Sequence, residues 1–505
     1  MSLLGIDIGT SGCKTALFTA QGRLLALAYE EYDVRRPAPG LAELDSAAVW
    51  EKVKRAIRRV SDAAAEPIQA ISFSSFGEGM VPVSHDRRIL GPTIIPTLDG
   101  RGVEYLPDLA ARIDAERLYE LNGNALANIY SLTKLKWLRE HQPELYERTD
   151  KFLLWGGFIP FMLGAEPMVD YSLANRTLLF DLARKDWSDE LLRWAGLDRS
   201  KLPDTVPSGT VIGRVSGEIA ADLGLPPGIP LVAGAHDQCA NAVGCGVISE
   251  GTAVFGMGTF FCITPAFGQR RAAADMLALG LNTEHHAMPE LFVSFIYNQG
   301  GILAKWFRDT FAAAEWEQAR QAGVDLYDQL IAEMPHRPSS VMALPHFIAT
   351  GPPHFIADSR GVIAGLTTET SRGDILKGII EGAVYYLKEV IEALPAVGIP
   401  IDEYRPTGGG AKSDVWVQLC ADIMGKPFVR PQVEEAGALG AAIMAGIGAG
   451  VFPSYEAGVA AMVHAGRTFE PDARQVGRYA ERFELYRQLS PLMRTYLRKL
   501  AAGSH

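Results

Sequence analysis

Leu3-Leu4-Gly5-Ile6-Asp7-Ile8-Gly9-Thr10-Ser11-Gly12-Cys13-Lys14-Thr15-Ala16-Leu17-Phe18 reads as a strand, a glycine-rich turn and a second strand. The apolar run over 3–8 suits a buried strand. Gly9 and Gly12 let the backbone reverse tightly enough for its N–H groups to face an anion. Asp7 closes the first strand, and Thr10, Ser11 and Lys14 follow at once. A carboxylate suits Mg²⁺, hydroxyls and amides suit phosphate oxygens, and a lysine neutralises charge shared between phosphates. An ordinary hairpin with a polar turn would also be written this way, so other parts of the chain must decide.

Thr252-Ala253-Val254-Phe255-Gly256-Met257-Gly258-Thr259-Phe260-Phe261-Cys262-Ile263-Thr264 repeats the plan: strand, Gly-x-Gly-Thr turn, strand. Reading the two turns as equivalents predicts two related halves, an N-terminal domain over 1–246 and a C-terminal domain over 247–505. A chain of 505 residues exceeds one compact core, so a cleft between domains is expected. Helical and strand patterns alternate around the hairpins, which makes the fold class α/β. A third strand is predicted over 23–32, a helix over 46–65 capped by Asp45, and a buried strand over 68–74 that ends in Ser75-Phe76-Gly77-Glu78-Gly79. A strand is read over 291–296, a helix from near Gly300, helix and loop cover over 324–361, and a docked amphipathic helix over about 470–500.

Composition narrows the function. Hydrophobic residues make up 48% and charged residues 21%, and no uncharged apolar run reaches the roughly 18 residues of a membrane helix. A net charge of −11 without a basic block argues against nucleic acid, so the expected partner is a small molecule. Five cysteines form no Cys-x-x-Cys pair, and no export signal precedes the first strand, so the cytoplasm is the expected location.

Asp237 lies where the apolar run 231–235 ends and a small-residue helix begins. A carboxylate at such a strand end can take a proton from an alcohol during phosphoryl transfer, or it can cap the helix. Thr407-Gly408-Gly409-Gly410-Ala411-Lys412-Ser413 opens another helix, either to bring a nucleotide close to the backbone or as a flexible loop capped by Ser413. Glu434-Glu435-Ala436-Gly437-Ala438-Leu439-Gly440-Ala441-Ala442 also opens a helix, packed beneath a flat ligand or within the core. A P-loop is absent, since the only Gly-Lys, Gly425-Lys426, is followed by Pro427. The first glycine turn joins strand to strand and lacks Gly-x-Gly-x-x-Gly, which disfavours a dinucleotide-binding fold.

In order and spacing, Asp7-Ile8-Gly9-Thr10-Ser11, Asp237-Gln238, Gly256-Met257-Gly258-Thr259 and Gly408-Gly409-Gly410 resemble the FGGY family of carbohydrate kinases, which includes xylulose, gluconate and glycerol kinases. Lys134 to His141 and Gly361 to Gly382 look like two further signatures of that family, with Ile129 and Gly378 as departures. The resemblance implies two actin-like (ribonuclease H-like) domains with ATP in the cleft between them and a sugar bound mainly by the first. By position, Asp7 would serve Mg²⁺ and Gly9, Thr10, Ser11 and Lys14 the phosphates. Gly258 and Thr259 would meet the γ-phosphate, Gly409, Gly410 and Ser413 would hold the nucleoside, and Asp237 would be the base beside Gln238. A homodimer is compatible with the resemblance.

The acceptor wall departs from the family pattern. Glu78 stands where some members carry Gln-Met-His, and Thr97-Leu98-Asp99-Gly100-Arg101 resembles Trp-x-Asp-x-Arg with Thr for Trp. Glu78, Asp99 and Arg101 are the expected sugar-binding residues, with a solvated loop carboxylate as the alternative for Glu78. Glu78 accepts hydroxyls but repels an acid unless Arg101 compensates it, which favours a neutral sugar or polyol. An actin-fold ATPase or chaperone is the rival reading; it would need neither Asp237-Gln238 nor the acceptor wall.

Overall fold

The computed structural model describes residues 1–433 and 435–502. Glu434 of the small-residue run lies outside the described residues. The opening hairpin forms as read: β1 (Ser2–Ile8) pairs antiparallel with β2 (Gly12–Thr19), and β2 pairs with β3 (Leu24–Glu31). With β4 (Ile68–Ser75), β5 (Val211–Arg214) and β6 (Pro230–His236) they make a six-stranded sheet in the order β5-β6-β4-β1-β2-β3. The central strands β1, β4 and β6 are parallel and buried on both faces, hence their continuous apolar runs. Their register sets Ile8 beside Ser75, and Ser75 beside His236. Three chain ends therefore open on one edge of the sheet, where ligands of open α/β sheets bind. Helix α1 (Ser46–Asp62) covers a face of this sheet with Val49, Val53, Ala56, Ile57 and Val60, and Asp45 caps it by accepting from Ala48 N at 3.0 Å.

A second sheet repeats the plan. β7 (Gly251–Met257) and β8 (Phe260–Phe267) are its hairpin; β9 (Glu284–His285), β10 (Phe292–Val293) and β11 (Ile296–Gln299) follow on the β8 side. β12 (Ile401–Thr407) runs parallel to β7 as β4 does to β1, then come β13 (Phe428–Pro431) and β14 (Ala465–Phe469). Thr407 is registered with Gly256, which brings the Gly408–Gly410 loop beside the Gly258–Thr259 turn.

The helices that matter to the site are α2 (Ser131–His141), α3 (Tyr171–Asn175), α4 (Asp237–Gly244), α5 (Gly301–Phe311), α6 (Arg372–Ala393), α7 (Asp414–Met424), α8 (Ala436–Gly448) and α9 (Ala473–Ala502). The small-residue helix α8 is core packing, and against the first sheet. Ala438, Leu439 and 441–445 are buried with Leu3, Ala16, Ala70 and Val232. Close approach explains its glycines: a Cβ on Gly440 would sit 1.9 Å from Ala240 O, and one on Gly5 of β1 would sit 1.9 Å from Ala438 O. Among the described residues no helix is long and apolar enough to cross a membrane, and all five cysteines are free thiols.

Candidate active site

The first turn is closed by Gly9 N donating to Gly12 O at 2.9 Å and is braced by Tyr32 Oη donating to Gly9 O at 2.6 Å. Gly9 therefore spends its N–H inside the turn. The N–H groups of Thr10 and Ser11 donate to no acceptor among the described residues, and both residues reach solvent. Ser11, with its N–H and hydroxyl, borders an open space of about 460 Å³ lined also by Asp7, Gly9, Gly12, Lys14 and Tyr29. Gly12 keeps that space clear, because a Cβ there would meet the Tyr29 ring at 2.5 Å. Lys14 lies one strand across from Asp7 and forms a 2.6 Å ion pair with Glu435, the residue before α8.

The second turn and the glycine loop line a cleft of about 750 Å³ together with Gly301, Ile302, Tyr327 and Trp416. Gly258, Thr259, Gly409, Gly410 and Ser413 all border it. The N–H groups of Gly258 and Thr259 have no acceptor among the described residues, whereas their carbonyls receive Gly301 N and Ile302 N at the start of α5. Ser413 caps α7, accepting from Trp416 N at 3.3 Å. Glycines and apolar walls of this kind admit a flat base, with free N–H groups left for phosphate.

Asp7 and Asp237 end neighbouring parts of the first sheet. Asp7 accepts from Ser74 Oγ at 2.6 Å, and its carboxyl is pushed up by burial, an effect that Ser74 and Lys14 oppose. Asp237 is the first residue of α4 and His236 holds the N-cap position, so Asp237 is not itself the N-cap. Its side chain is 34% exposed yet hemmed in by protein. Burial, then the charges of Asp7 and Glu78, push its pKa up to about 7, against partial relief from Gln238. His236 Nε2 lies 3.2 Å from Asp237 Oδ1, and burial holds that imidazole neutral.

The expected acceptor residues fall into two groups joined by α2. Glu78 is buried, with φ 59°, and its carbonyl accepts from Ser131 Oγ at 2.5 Å. Asp99 and Arg101 bind each other: Arg101 Nη2 donates to Asp99 Oδ2 at 2.7 Å, and Arg101 Nη1 to Glu43 Oε1 at 2.7 Å. Asp99 Oδ2 also accepts from Ala42 N at 2.7 Å, and Lys134 Nζ donates to Asp99 O at 3.0 Å. Arg101 does not compensate Glu78. Arg176, from the end of α3, does so, donating through Nε to Glu78 Oε1 at 2.7 Å. Glu284 of β9 accepts from Arg176 Nη1 at 2.6 Å. Sequence reading missed both residues, since a pairing between chain segments 108 residues apart leaves no local pattern.

No group of three or more His, Cys, Asp or Glu side chains suited to a metal occurs among the described residues. A single carboxylate beside free phosphate donors is nevertheless the protein share that Mg²⁺ takes when water and phosphates fill the remaining positions. Asp7 fits that share, and its crowding with Asp237 is the kind of like-charge strain that a cation relieves.

Paired phosphate turns on two repeated sheets, with a carboxylate at the sheet edge, define a nucleotide-dependent phosphotransferase of actin-like fold. Residues 2–244 match the N-terminal domain, and 251–449 the C-terminal domain, of the FGGY family of carbohydrate kinases, and the chain belongs to that family. It is 29% identical over 502 residues to xylulose kinase of Escherichia coli (strain K12), spanning 97% of this chain and 99% of that protein. It is 28% identical over 507 residues to gluconokinase of Bacillus subtilis (strain 168), spanning 99% and 97%. The structure of xylulose kinase from Rhodospirillum rubrum superposes with a TM-score of 0.87 at 25% identity, over 99% of this chain and all of that one. The protein is thus a carbohydrate kinase, which transfers a phosphoryl group from ATP to an alcohol group of a small sugar.

Proposed function

We propose that the acceptor is a neutral sugar or polyol and that Asp237 is the general base. The observation that carries this reading is the environment of Asp237, a carboxyl with pKa about 7 set between Asp7 and Glu78 at the open edge of the first sheet. A base that titrates near the working pH is the form general catalysis favours. In the proposed step, an Asp237 carboxylate oxygen takes the acceptor's hydroxyl proton as that oxygen bonds to the γ-phosphorus and the bond to the β-phosphate oxygen breaks. Gln238 and Glu78 orient the sugar by hydrogen bonds, and the Asp99–Arg101 pair borders the acceptor pocket. Thr10, Ser11 and Lys14 hold phosphates from the first turn, backed by Gly9, while Gly258 and Thr259 face the γ-phosphate. Gly409, Gly410 and Ser413 hold the nucleoside. Mg²⁺, held by Asp7, would neutralise charge on the phosphates. The units are 1–246 and 247–505, with α8 returning to the first. The free thiols suit a reducing cytoplasm.

The test is Asp237→Asn in an ADP-release assay over pentuloses, hexuloses, tetritols, pentitols and sugar acids. The variant should keep nucleotide affinity and lose about 10²–10⁴-fold in kcat. Turnover within tenfold of the natural enzyme removes Asp237 from the role. Turnover that ignores the sugar points to an ATPase instead.

A further inference from the structure

Relatives acting on xylulose and on gluconate are almost equally similar to this chain, so likeness does not choose between a neutral and an acidic acceptor. The charges behind Glu78 do. We propose that Arg176 and Glu284 form a charge lock behind the acceptor pocket: Glu284 occupies Arg176, and the enzyme thereby discriminates against acceptors that carry a carboxylate. This rests on Glu78 and Asp237 lining the acceptor site, as proposed above.

The lock is built into the backbone. Glu78 sits in the left-handed region between Gly77 and Gly79, a conformation costly for a side chain other than glycine and associated with functional turns. A Cβ on Gly77 would lie 2.8 Å from Arg176 Cγ, so this glycine makes room for the arginine stem. The Arg176 guanidinium lies over the rings of Tyr130, at 5.2 Å, and Phe295, at 5.8 Å. Phe295 packs edge-on to His236 at 5.4 Å, and His236 touches Asp237, which ties the arginine to the proposed base through two intervening residues.

Every nitrogen of the guanidinium is engaged. Nε and Nη2 donate to Glu78 Oε1, and Nη1 donates to Glu284 Oε1, which Asn282 Nδ2 also reaches at 2.8 Å. All three charged side chains are buried. An arginine keeps its proton, so the two carboxyl groups share a single positive charge, and burial pushes the Glu78 carboxyl up against the pull of Arg176. Glu284 Oε2 is buried and accepts no hydrogen bond among the described residues. A hydroxyl entering beside Glu78 can donate to it. A carboxylate can only accept, and among the described residues the guanidinium behind Glu78 is already engaged.

Relative kcat/KM for D-xylulose, D-ribulose and ribitol against D-gluconate and D-xylonate tests the lock. The natural enzyme should prefer the neutral set. Glu284→Gln removes the second carboxylate and should raise the acid-to-neutral ratio at least tenfold. Arg176→Gln added to it should abolish that gain, because the gain depends on the freed guanidinium. Arg176→Gln alone should lower the ratio, which decides the matter should Glu284→Gln fail to fold by thermal unfolding. An unchanged ratio in these variants, or a natural preference for the acids, overturns the lock. Loss of the base reading shows separately, as an active Asp237→Asn.

Discussion

Asp237 sets stability against chemistry within one side chain. Its carboxyl titrates at about 7 in the folded protein and near 3.9 in an unfolded chain. Between those values the folded state holds the extra proton, so stability falls as pH rises from about 4 to 7 and stays lowered above that. Asp237→Asn removes the penalty. At pH 8 it should raise Tm, by about 2–4 °C for each kcal/mol relieved, and the gain should vanish near pH 4. Equal Tm values at pH 8 would show that the carboxylate is not strained. Catalysis runs the other way: a base must be ionised, so kcat/KM should climb with pH towards about 7. Glu78→Gln takes away a neighbouring negative charge and should move that climb to lower pH; a climb that stays put would mean Glu78 is not felt at the base. The placement of Asp237 was legible in the sequence because a carboxylate between an apolar strand and a helix is a local pattern. The partner of Glu78 was not, because Arg101 is near in sequence whereas Arg176, the true partner, is 98 residues away.

Among the elements, α8 carries a tight steric constraint against backbone. Gly440 faces the Ala240 carbonyl of α4, and backbone cannot yield as a flexible side chain can. Gly440→Ala should therefore cost at least about 1–3 kcal/mol in urea unfolding, the range of overpacked cores. Gly217→Ala, at a helical glycine with nothing within 4 Å, should change stability by no more than about 0.5 kcal/mol. Equal effects at the two positions would contradict the seam. The hairpins and α1 were legible because strand alternation, turn glycines and an Asp cap are written within a few residues. The partner of α8 was not legible: a helix made of Ala, Gly, Leu and Ile on all sides says that it is buried but not against what. The 291–296 run resolves into two short strands, β10 and β11, because each pairs with a different part of β8. The stretch read as helix and loop holds a helix at Leu326–Ala332 but also a strand at Met342–Leu344, paired with Val362–Ala364.

For the whole molecule, the proposed phosphate donors belong to turns of both sheets while the proposed acceptor residues belong to the first half of the chain, so in that reading transfer requires the two sheets to approach around ATP and sugar. Where they are tied limits how they move. On one side α8, from the second half of the chain, is locked onto β1 and α4. On another, Thr283 N donates to Gly123 O at 2.8 Å, Tyr119 Oη meets Thr283 Oγ1 at 2.9 Å, and Arg176 holds Glu284. The cleft between β7–β8, α5 and α7, the proposed nucleotide site, lies outside both ties. The closure we expect is a rotation of that body about these two ties, carrying Thr259 towards Asp7 and Asp237. An open enzyme with ATP and a base could pass the phosphoryl group to water, so binding energy from the correct sugar is well spent on closing the site. Small-angle scattering should show a smaller radius of gyration only when sugar and a non-hydrolysable nucleotide are both present, and ATP hydrolysis without sugar should be slow. A radius that contracts with nucleotide alone would remove the sugar's part in closure, and a radius that never changes would mean that the two sheets already stand in the transfer geometry.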